Sequence, residues 1–145
     1  MEKIYAEIGR MIMSYDKYFK VFMKKELAPA DLNVAESMIL LSLYENDGLT
    51  QEELTSALHY DKSVMTRAIQ SLEKKDRIDR VQVPDDGRAW ILRLTAEGHE
   101  VKPKILNSLR AWCRKAFDGI DDDGGMELLG MMRTIVGNIE TPRRF

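Results

Sequence analysis

Hydrophobic and polar positions separate onto two faces of a helix between residues 61 and 75. At about 100° per residue, one side collects the apolar side chains, which are Val64, Met65, Ala68, Ile69 and Leu72. The opposite side collects Ser63, Thr66, Arg67, Gln70 and Lys74. Asp61 stands where the N-cap of such a helix is expected. The apolar face predicts packing on a core. The polar face is either solvated or a binding surface, and the neighbouring segments decide between these two interpretations.

The segment before this helix predicts a second helix, joined to it by a tight turn. Thr50 and Glu53 have the spacing of a capping box, in which each side chain accepts from the backbone of the other residue. His59 and Tyr60 then leave room for only a short turn before Asp61. Together the two segments predict a helix-turn-helix.

The segment after it predicts a β-hairpin. Val81 and Val83 precede the turn signal of residues 84 to 87, and apolar residues then alternate up to Leu94. Arg88 lies near the tip, where a guanidinium could enter a narrow minor groove of DNA. A surface arginine paired with Asp86 fits the same position, and such a pair could aim the guanidinium. The order of elements is that of a winged helix, whose outward Ser, Thr, Arg and Gln side chains can hydrogen-bond to base edges and phosphates.

The two ends of the chain carry apolar stripes at helical spacing. The first stripe is Ile4, Ile8, Met11, Ile12, Tyr15, Phe19 and Phe22, and the second is Leu128, Leu129, Met132, Ile135, Val136 and Ile139. Between them, residues 96 to about 117 predict a long helix capped by Thr95 and kinked by Pro103. A winged helix of this size cannot bury all of these faces within one subunit, so we expect a twofold dimer.

Composition sets limits on this picture. The 145 residues are 44% hydrophobic, which is enough for one core, and no linker divides them. We expect one domain per chain, with no membrane span or signal peptide and therefore a cytoplasmic protein. The formal net charge is -2. From residue 61 to 93, however, eight Lys and Arg face six Asp and Glu, an excess of 8 − 6 = +2.

Catalytic and metal-binding patterns are missing from the sequence. His59 and His99 lie far apart without zinc-site spacing, and neither GxSxG nor a phosphate-binding loop occurs. We therefore expect no enzyme, metal or cofactor. The single cysteine, Cys113, allows no intramolecular disulfide, and we interpret it as a buried, inert thiol.

Four motifs, in order and at matching spacing, give the sequence a specific resemblance. They are Asp61-Lys62-Ser63 with Thr66-Arg67, Leu72-Glu73-Lys74-Lys75, Asp86-Gly87-Arg88, and Leu94-Thr95-Ala96-Glu97-Gly98. In this order they resemble the MarR family of bacterial and archaeal transcriptional regulators, over essentially the whole chain. The sequence departs from the family at Asp76, where glycine is common, and Asp tolerates the left-handed conformation at modest cost.

The resemblance implies a mainly α protein with a small β-hairpin wing. Residues 33–95 would form the winged helix-turn-helix DNA-binding lobe, and residues 1–30 and 96–145 a helical dimerisation lobe within the same domain. The implied function is a homodimeric repressor of transcription on a roughly palindromic double-stranded operator. The alternative is a winged-helix protein–protein interaction module that does not bind specific DNA.

The expected DNA contacts fall into three groups. The first group would lie in the major groove and consists of Ser63, Thr66, Arg67 and Gln70. The second group would contact phosphates and consists of Lys62, Lys74 and Arg77. The third is Arg88, which would enter the minor groove and be oriented by Asp86.

A small-molecule site is also implied by the resemblance, because family members often bind small aromatic or phenolic effectors between the dimer helices and the DNA-binding lobe. Asn33 and Glu36 predict the start of a helix there. The candidate lining residues are Tyr15, Tyr18, Phe19 and Met38. The same aromatic and methionine side chains could equally be ordinary core.

Overall fold

Seven α-helices and one antiparallel hairpin make up residues 1–140, the part of the chain that the computed structural model describes. The helices are α1 (Glu2–Leu27), α2 (Val34–Glu45), α3 (Gln51–Leu58), α4 (Lys62–Lys74), α5 (Ala96–Glu100), α6 (Lys102–Ala116) and α7 (Asp122–Glu140). The strands are β1 (Ile78–Val83) and β2 (Asp86–Leu94), and Ala28–Ala30 form a 3-10 turn after α1. The predicted mainly α fold with a small wing is confirmed. Contacts divide the described residues into two compact units, the first ending at Leu109 and the second starting at Arg110. The predicted single domain stays a prediction.

Side chains cap three helices in the way the sequence predicts. Asn33 accepts from the backbone N–H of Glu36, whose carboxylate accepts from Asn33 in return. Thr50 and Glu53 make the same reciprocal pair at α3. Thr95 caps α5 through the N–H of Gly98 at 3.0 Å.

Two left-handed residues mark the ends of α3 and α4. His59 has φ 54° and closes the turn between these helices, while Asp76 has φ 56°, a conformation that glycine adopts most easily. Asp76 thus adopts the left-handed conformation expected at this position. Asp61 holds the N-cap position of α4 as predicted, but its side chain makes no capping hydrogen bond.

The core of residues 1–109 forms around α2 and α4. From α4 the buried side chains are Met65, Ala68, Ile69 and Leu72, as the helical pattern predicts. Around them lie Met23, Leu27, Leu32, Ile39, Leu40, Leu43, Leu54, Ile78, Leu92 and Ile105. Burial of a large apolar side chain contributes about 1.5–3 kcal/mol, so this cluster fixes which face of α4 turns outward.

The wing is a two-stranded ladder with an irregular tip. Ile78 pairs with Leu94 and Gln82 with Trp90, but Val83 then pairs with Asp86. Three residues of β2, numbers 87 to 89, therefore have no counterpart on β1 and form a bulge that contains Arg88. At the base of the wing, the N–H of Leu92 donates to the carbonyl of Leu49 at 2.8 Å.

Where β2 leads into α5, the chain passes close to the end of α4. A Cβ at Gly98 would lie 2.1 Å from the carbonyl oxygen of Arg77, so only glycine fits there. The helix predicted from 96 to 117 divides into α5 and α6, because Pro103, the second residue of α6, cannot donate a backbone N–H to continue α5.

Helix α7, in the second unit, buries none of its residues. It starts with Asp121 accepting from the N–H of Gly124 at 2.9 Å. Its exposed large apolar side chains include Leu128, Leu129, Ile135, Val136 and Ile139. Cys113, which the sequence suggested is buried, is exposed on α6.

Candidate nucleic-acid interface

The outward face of α4 presents polar side chains that the protein itself does not use. Lys62, Ser63, Arg67, Gln70 and Lys74 are all exposed. Within residues 1–140, none of these five side chains makes an ion pair or a hydrogen bond. Their donors and acceptors are therefore accessible to solvent or to a partner outside the chain.

A shallow concave surface forms at the amino-terminal half of this face. Lys62, Ser63, Thr66 and Arg67 line it together, so four of the predicted DNA contacts are brought to one place. The combination supplies two cations and two hydroxyls, which suits an anionic backbone with acceptors beside it.

Gln51 is a polar residue of this region that the sequence analysis missed. Its side-chain Nε2 donates to Oγ1 of Thr66 at 2.8 Å, which joins the first turn of α3 to α4. Helical periodicity places Thr66 on a polar face but says nothing about a partner on another helix. The proximity of Gln51 follows from the crossing of two helices and has no local sequence signal.

The basic residues just beyond α4 serve the fold. Lys75 Nζ lies 3.0 Å from the carboxylate of Glu36, whose side chain is only 2% exposed, and 2.8 Å from the carbonyl of Asp31. Arg80 pairs with Glu73 at 2.8 Å. These contacts tie the end of α4 to the start of α2 and to β1.

Arg77 belongs to this second group, which changes the role predicted for it. Its guanidinium donates to the carbonyls of Ala30 and Asp31, at 2.5 and 2.9 Å. Ala30 ends the 3-10 turn and Asp31 follows it, and backbone carbonyls at such an end lack helical partners. These hydrogen bonds give the Arg77 guanidinium a role in the fold, whereas its predicted contact with a phosphate stays a prediction.

At the wing, Asp86 and Arg88 interact differently from the expected ion pair. The Asp86 carboxylate accepts from the backbone N–H of Arg88 at 3.1 Å. The Gln82 side chain donates to the carbonyl of Gly87 in the same bulge. The Arg88 guanidinium has no ion-pair partner among the described residues. Asp86 thus shapes the backbone that carries Arg88, and its predicted orienting of the guanidinium is replaced by this backbone contact.

Two tyrosines outside α4 have perturbed ionisation. Burial raises the pKa of Tyr44 to about 12, against an opposing effect of the Arg77 charge. Its hydroxyl donates to the carbonyl of Gly98 at 2.5 Å. Burial also raises the pKa of Tyr60, while the nearby Lys20 charge lowers it. Lys20 in turn is paired with Asp16 at 2.7 Å, and this hydrogen bond raises the Lys20 pKa.

Of the candidate effector residues, the structure brings Tyr15 and Phe19 into ring contact. Their rings are parallel within 4°, with centroids 6.2 Å apart. Tyr18 is exposed on α1 with the ammonium of Lys17 5.8 Å from its ring centre, and Met38 is half-buried on α2.

Other kinds of site find no support in the part of the chain that the structure covers. Residues 1–140 contain no group of three or more His, Cys, Asp and Glu that could hold a metal ion. No helix among the same residues has the length and apolar character needed to cross a bilayer.

Comparison with known proteins agrees with this geometry. The sequence model of the MarR family matches residues 30–89. The HTH-type transcriptional regulator BilQ of Clostridioides difficile (strain CD3) is 31% identical over 137 residues, which cover 94% of this chain and 92% of that protein.

Solved structures with the same fold include a MarR transcriptional regulator from Methanosarcina mazei Go1. It is 27% identical, with 90% of this chain and 88% of that chain covered and a TM-score of 0.81. A mutant MarR from E. coli complexed with operator DNA has a TM-score of 0.79 at 21% identity, over 89% of this chain and 93% of that chain.

Proposed function

The chain belongs to the MarR family, whose members are transcriptional regulators and not enzymes, and on this premise we propose that it represses transcription as a homodimer bound to specific double-stranded DNA. The observation that carries this proposal is the exposed face of α4. Five of its polar side chains have no partner among the described residues, and Thr66 is bonded only to Gln51, while the apolar face is fixed in the core.

The proposed contacts follow from side-chain chemistry. Arg67 and Gln70 can each make bidentate hydrogen bonds to a base edge in the major groove, and Ser63 and Thr66 can approach the same groove. Lys62 and Lys74 would pair with phosphates on either side. Arg88, carried by the bulge of the wing, would enter the minor groove, where a guanidinium suits the deep negative potential.

A second copy of the chain is the proposed partner of the two terminal helices. Along α1, Ile4, Ile8, Met11 and Ile12 are between 41% and 63% exposed, and α7 buries no residue at all. Helices with such faces gain little stability alone. A twofold dimer would cover apolar surface and present two α4 helices to a pseudo-palindromic operator.

We also propose that a small aromatic or phenolic effector releases the operator. The stacked rings of Tyr15 and Phe19, with the adaptable side chain of Met38 and the exposed ring of Tyr18, support a binding place of this chemistry. Replacing Tyr15 with Ala should remove the effect of a phenolic compound on DNA affinity without changing affinity in its absence. An unchanged response would remove Tyr15 from the effector site.

The dimer can be tested with negative charges on α7. A double variant with Leu128→Glu and Ile135→Glu should have the molar mass of one chain, 16.7 kDa, in light scattering, whereas wild type should have twice that mass. Operator affinity should fall at least about a hundredfold, because the second half-site is lost. Asn138→Glu adds charge to the same helix outside the apolar stripe and serves as the control. A doubly substituted protein that stays dimeric would contradict the proposed interface.

DNA specificity is tested by selecting fragments from random double-stranded pools with the purified dimer. Wild type should enrich one pseudo-palindromic sequence, and Gln70→Ala should lose preference at particular positions by about 1–3 kcal/mol. Lys74→Ala should weaken all sequences equally. If no sequence is enriched and binding follows salt alone, the protein–protein interaction alternative takes the place of this proposal.

A further inference from the structure

A side-chain hydrogen bond between Gln51 and Thr66 joins α3 to α4. The two side chains are half-buried at the contact of α3 with α4, with Gln51 Nε2 donating to Thr66 Oγ1 at 2.8 Å. The residues are 15 positions apart, so the contact depends on how the two helices pack.

A threonine hydroxyl has one proton to donate and two lone pairs that accept. The Gln51 amide donates to one lone pair of the Thr66 oxygen. Its nitrogen is a donor only and cannot accept the hydroxyl proton of Thr66. The usual destination for that proton in a helix is the carbonyl four residues earlier. The hydroxyls of Ser42, Thr55 and Ser108 make this bond.

The Thr66 hydroxyl differs from these. Among the residues that the structure describes, the bond from Gln51 is the only hydrogen bond of its side chain. Its proton therefore has no acceptor within residues 1–140. Thr66 also lines the concave surface with Lys62 and Arg67, so the hydroxyl lies where a partner outside the protein would bind.

We propose that Gln51 is a positioning residue that makes Thr66 a hydrogen-bond donor to DNA. The acceptor is a phosphate oxygen or a major-groove acceptor such as guanine O6 or N7 or thymine O4. Without the Gln51 amide, the hydroxyl is free to turn onto the carbonyl of Lys62, and the donor is lost to the helix. This inference rests on the proposed DNA-binding function and adds to it a residue of α3, outside α4.

A double-mutant cycle tests whether Gln51 acts through Thr66. Gln51→Ala and Thr66→Val should each weaken operator binding about threefold to tenfold at fixed salt, the usual size for one hydrogen bond. The double variant should bind as Thr66→Val does, because Gln51 has nothing left to position. Urea unfolding of each variant confirms that the loss is not one of folding.

The direction of the hydrogen bond has its own test. In Gln51→Glu a carboxylate accepts the Thr66 proton and reverses the bond, so binding should be weaker than in Gln51→Ala. Ser56→Glu adds the same charge to the exposed side of α3 and corrects for simple repulsion of DNA. A phosphate acceptor predicts equal losses on all sequences, and a base acceptor predicts losses at particular operator positions. Either pattern supports the proposal.

Wild-type affinity in Gln51→Ala would overturn the proposal. So would a double variant in which Gln51→Ala weakens Thr66→Val by the same factor as it weakens wild type. A third contradicting result is binding by Gln51→Glu that is no weaker than binding by Gln51→Ala, once the Ser56→Glu effect is subtracted. Arg67→Ala separates this failure from that of the proposed function. If wild type selects an operator and Arg67→Ala loses it while Gln51→Ala does not, only the role of Gln51 falls. If wild type selects no operator, both proposals fall.

Discussion

The outward face of α4 and the segment from Lys75 to Arg80 follow one another in the chain, and both are basic, but the protein treats their charges differently. On α4, Lys62, Arg67 and Lys74 have no partner among residues 1–140. In the next six residues, the cationic groups of Lys75, Arg77 and Arg80 are all bound to carboxylates or backbone carbonyls of the protein.

This difference indicates that, for binding an external anion, a cation without a partner in the protein matters more than the net charge of its segment. A count over residues 61 to 93 gives a small excess of +2, which treats all eight cations alike. The structure separates cations that stabilise the fold from cations that can bind an external anion. Variants of the first kind should change the free energy of unfolding, and variants of the second kind should change the affinity for DNA.

The largest expected effect on stability is at Lys75. Lys75→Met keeps the apolar stem but leaves the buried Glu36 carboxylate without its cation. The loss should be about 2–3 kcal/mol, below the value for a fully buried pair because Lys75 is 25% exposed. Lys74→Met is the matched control, expected to unfold like wild type. Equal urea midpoints for the two variants would remove the distinction between these adjacent lysines.

At the wing, Arg88→Ala should lower operator affinity about tenfold with the fold intact, and most strongly on A/T-rich flanks. Arg88→Lys should restore part of this loss, because an ammonium lacks the planar fork. Asp86→Asn should bind nearly as well as wild type, since its amide oxygen can accept the same Arg88 N–H. If Asp86→Asn bound the operator as weakly as Arg88→Ala, the Asp86 charge would be needed, and the carboxylate would act as an ion-pair partner of Arg88.

The smallest expected effect on stability is at Tyr44, whose pKa is lowered by the nearby Arg77 charge and raised more strongly by burial. Tyr44→Phe removes the hydrogen bond to Gly98 and should cost about 1 kcal/mol at neutral pH. The folded pKa of about 12 lies above the ordinary 10.0, so the contribution of Tyr44 is complete below pH 10 and is lost as the pH rises to 12. The stability difference between wild type and Tyr44→Phe should therefore shrink over this range. A difference that stays constant to pH 12 would contradict the burial effect.

Local patterns were sufficient to predict much of the fold. The caps at Asn33, Thr50 and Thr95 and the buried face of α4 depend on residues within one or two turns of each other, which sequence spacing describes well. Periodicity also predicted that α4 would present Arg67 and Gln70 outward.

Contacts between distant segments were not predictable in this way. The bond from Gln51 to Thr66, the burial of Glu36 against Lys75 and the use of Arg77 at the 3-10 turn depend on packing of separate elements. The role of Asp86 was missed because an Asp two residues before an Arg can bind either the guanidinium or the backbone N–H of that Arg. The irregular tip of the wing favours the bond to the backbone N–H.

The separation of the two regions is tested most directly by comparing Arg67→Ala with Arg77→Ala. Each variant is measured twice, for affinity to the selected operator at fixed salt and for unfolding in urea. Arg67→Ala should lose about tenfold to hundredfold in affinity and unfold like wild type, whereas Arg77→Ala should unfold more easily and, while folded, bind the operator normally. Full affinity in folded Arg67→Ala, or a selective loss of affinity in Arg77→Ala with unchanged stability, would contradict this account.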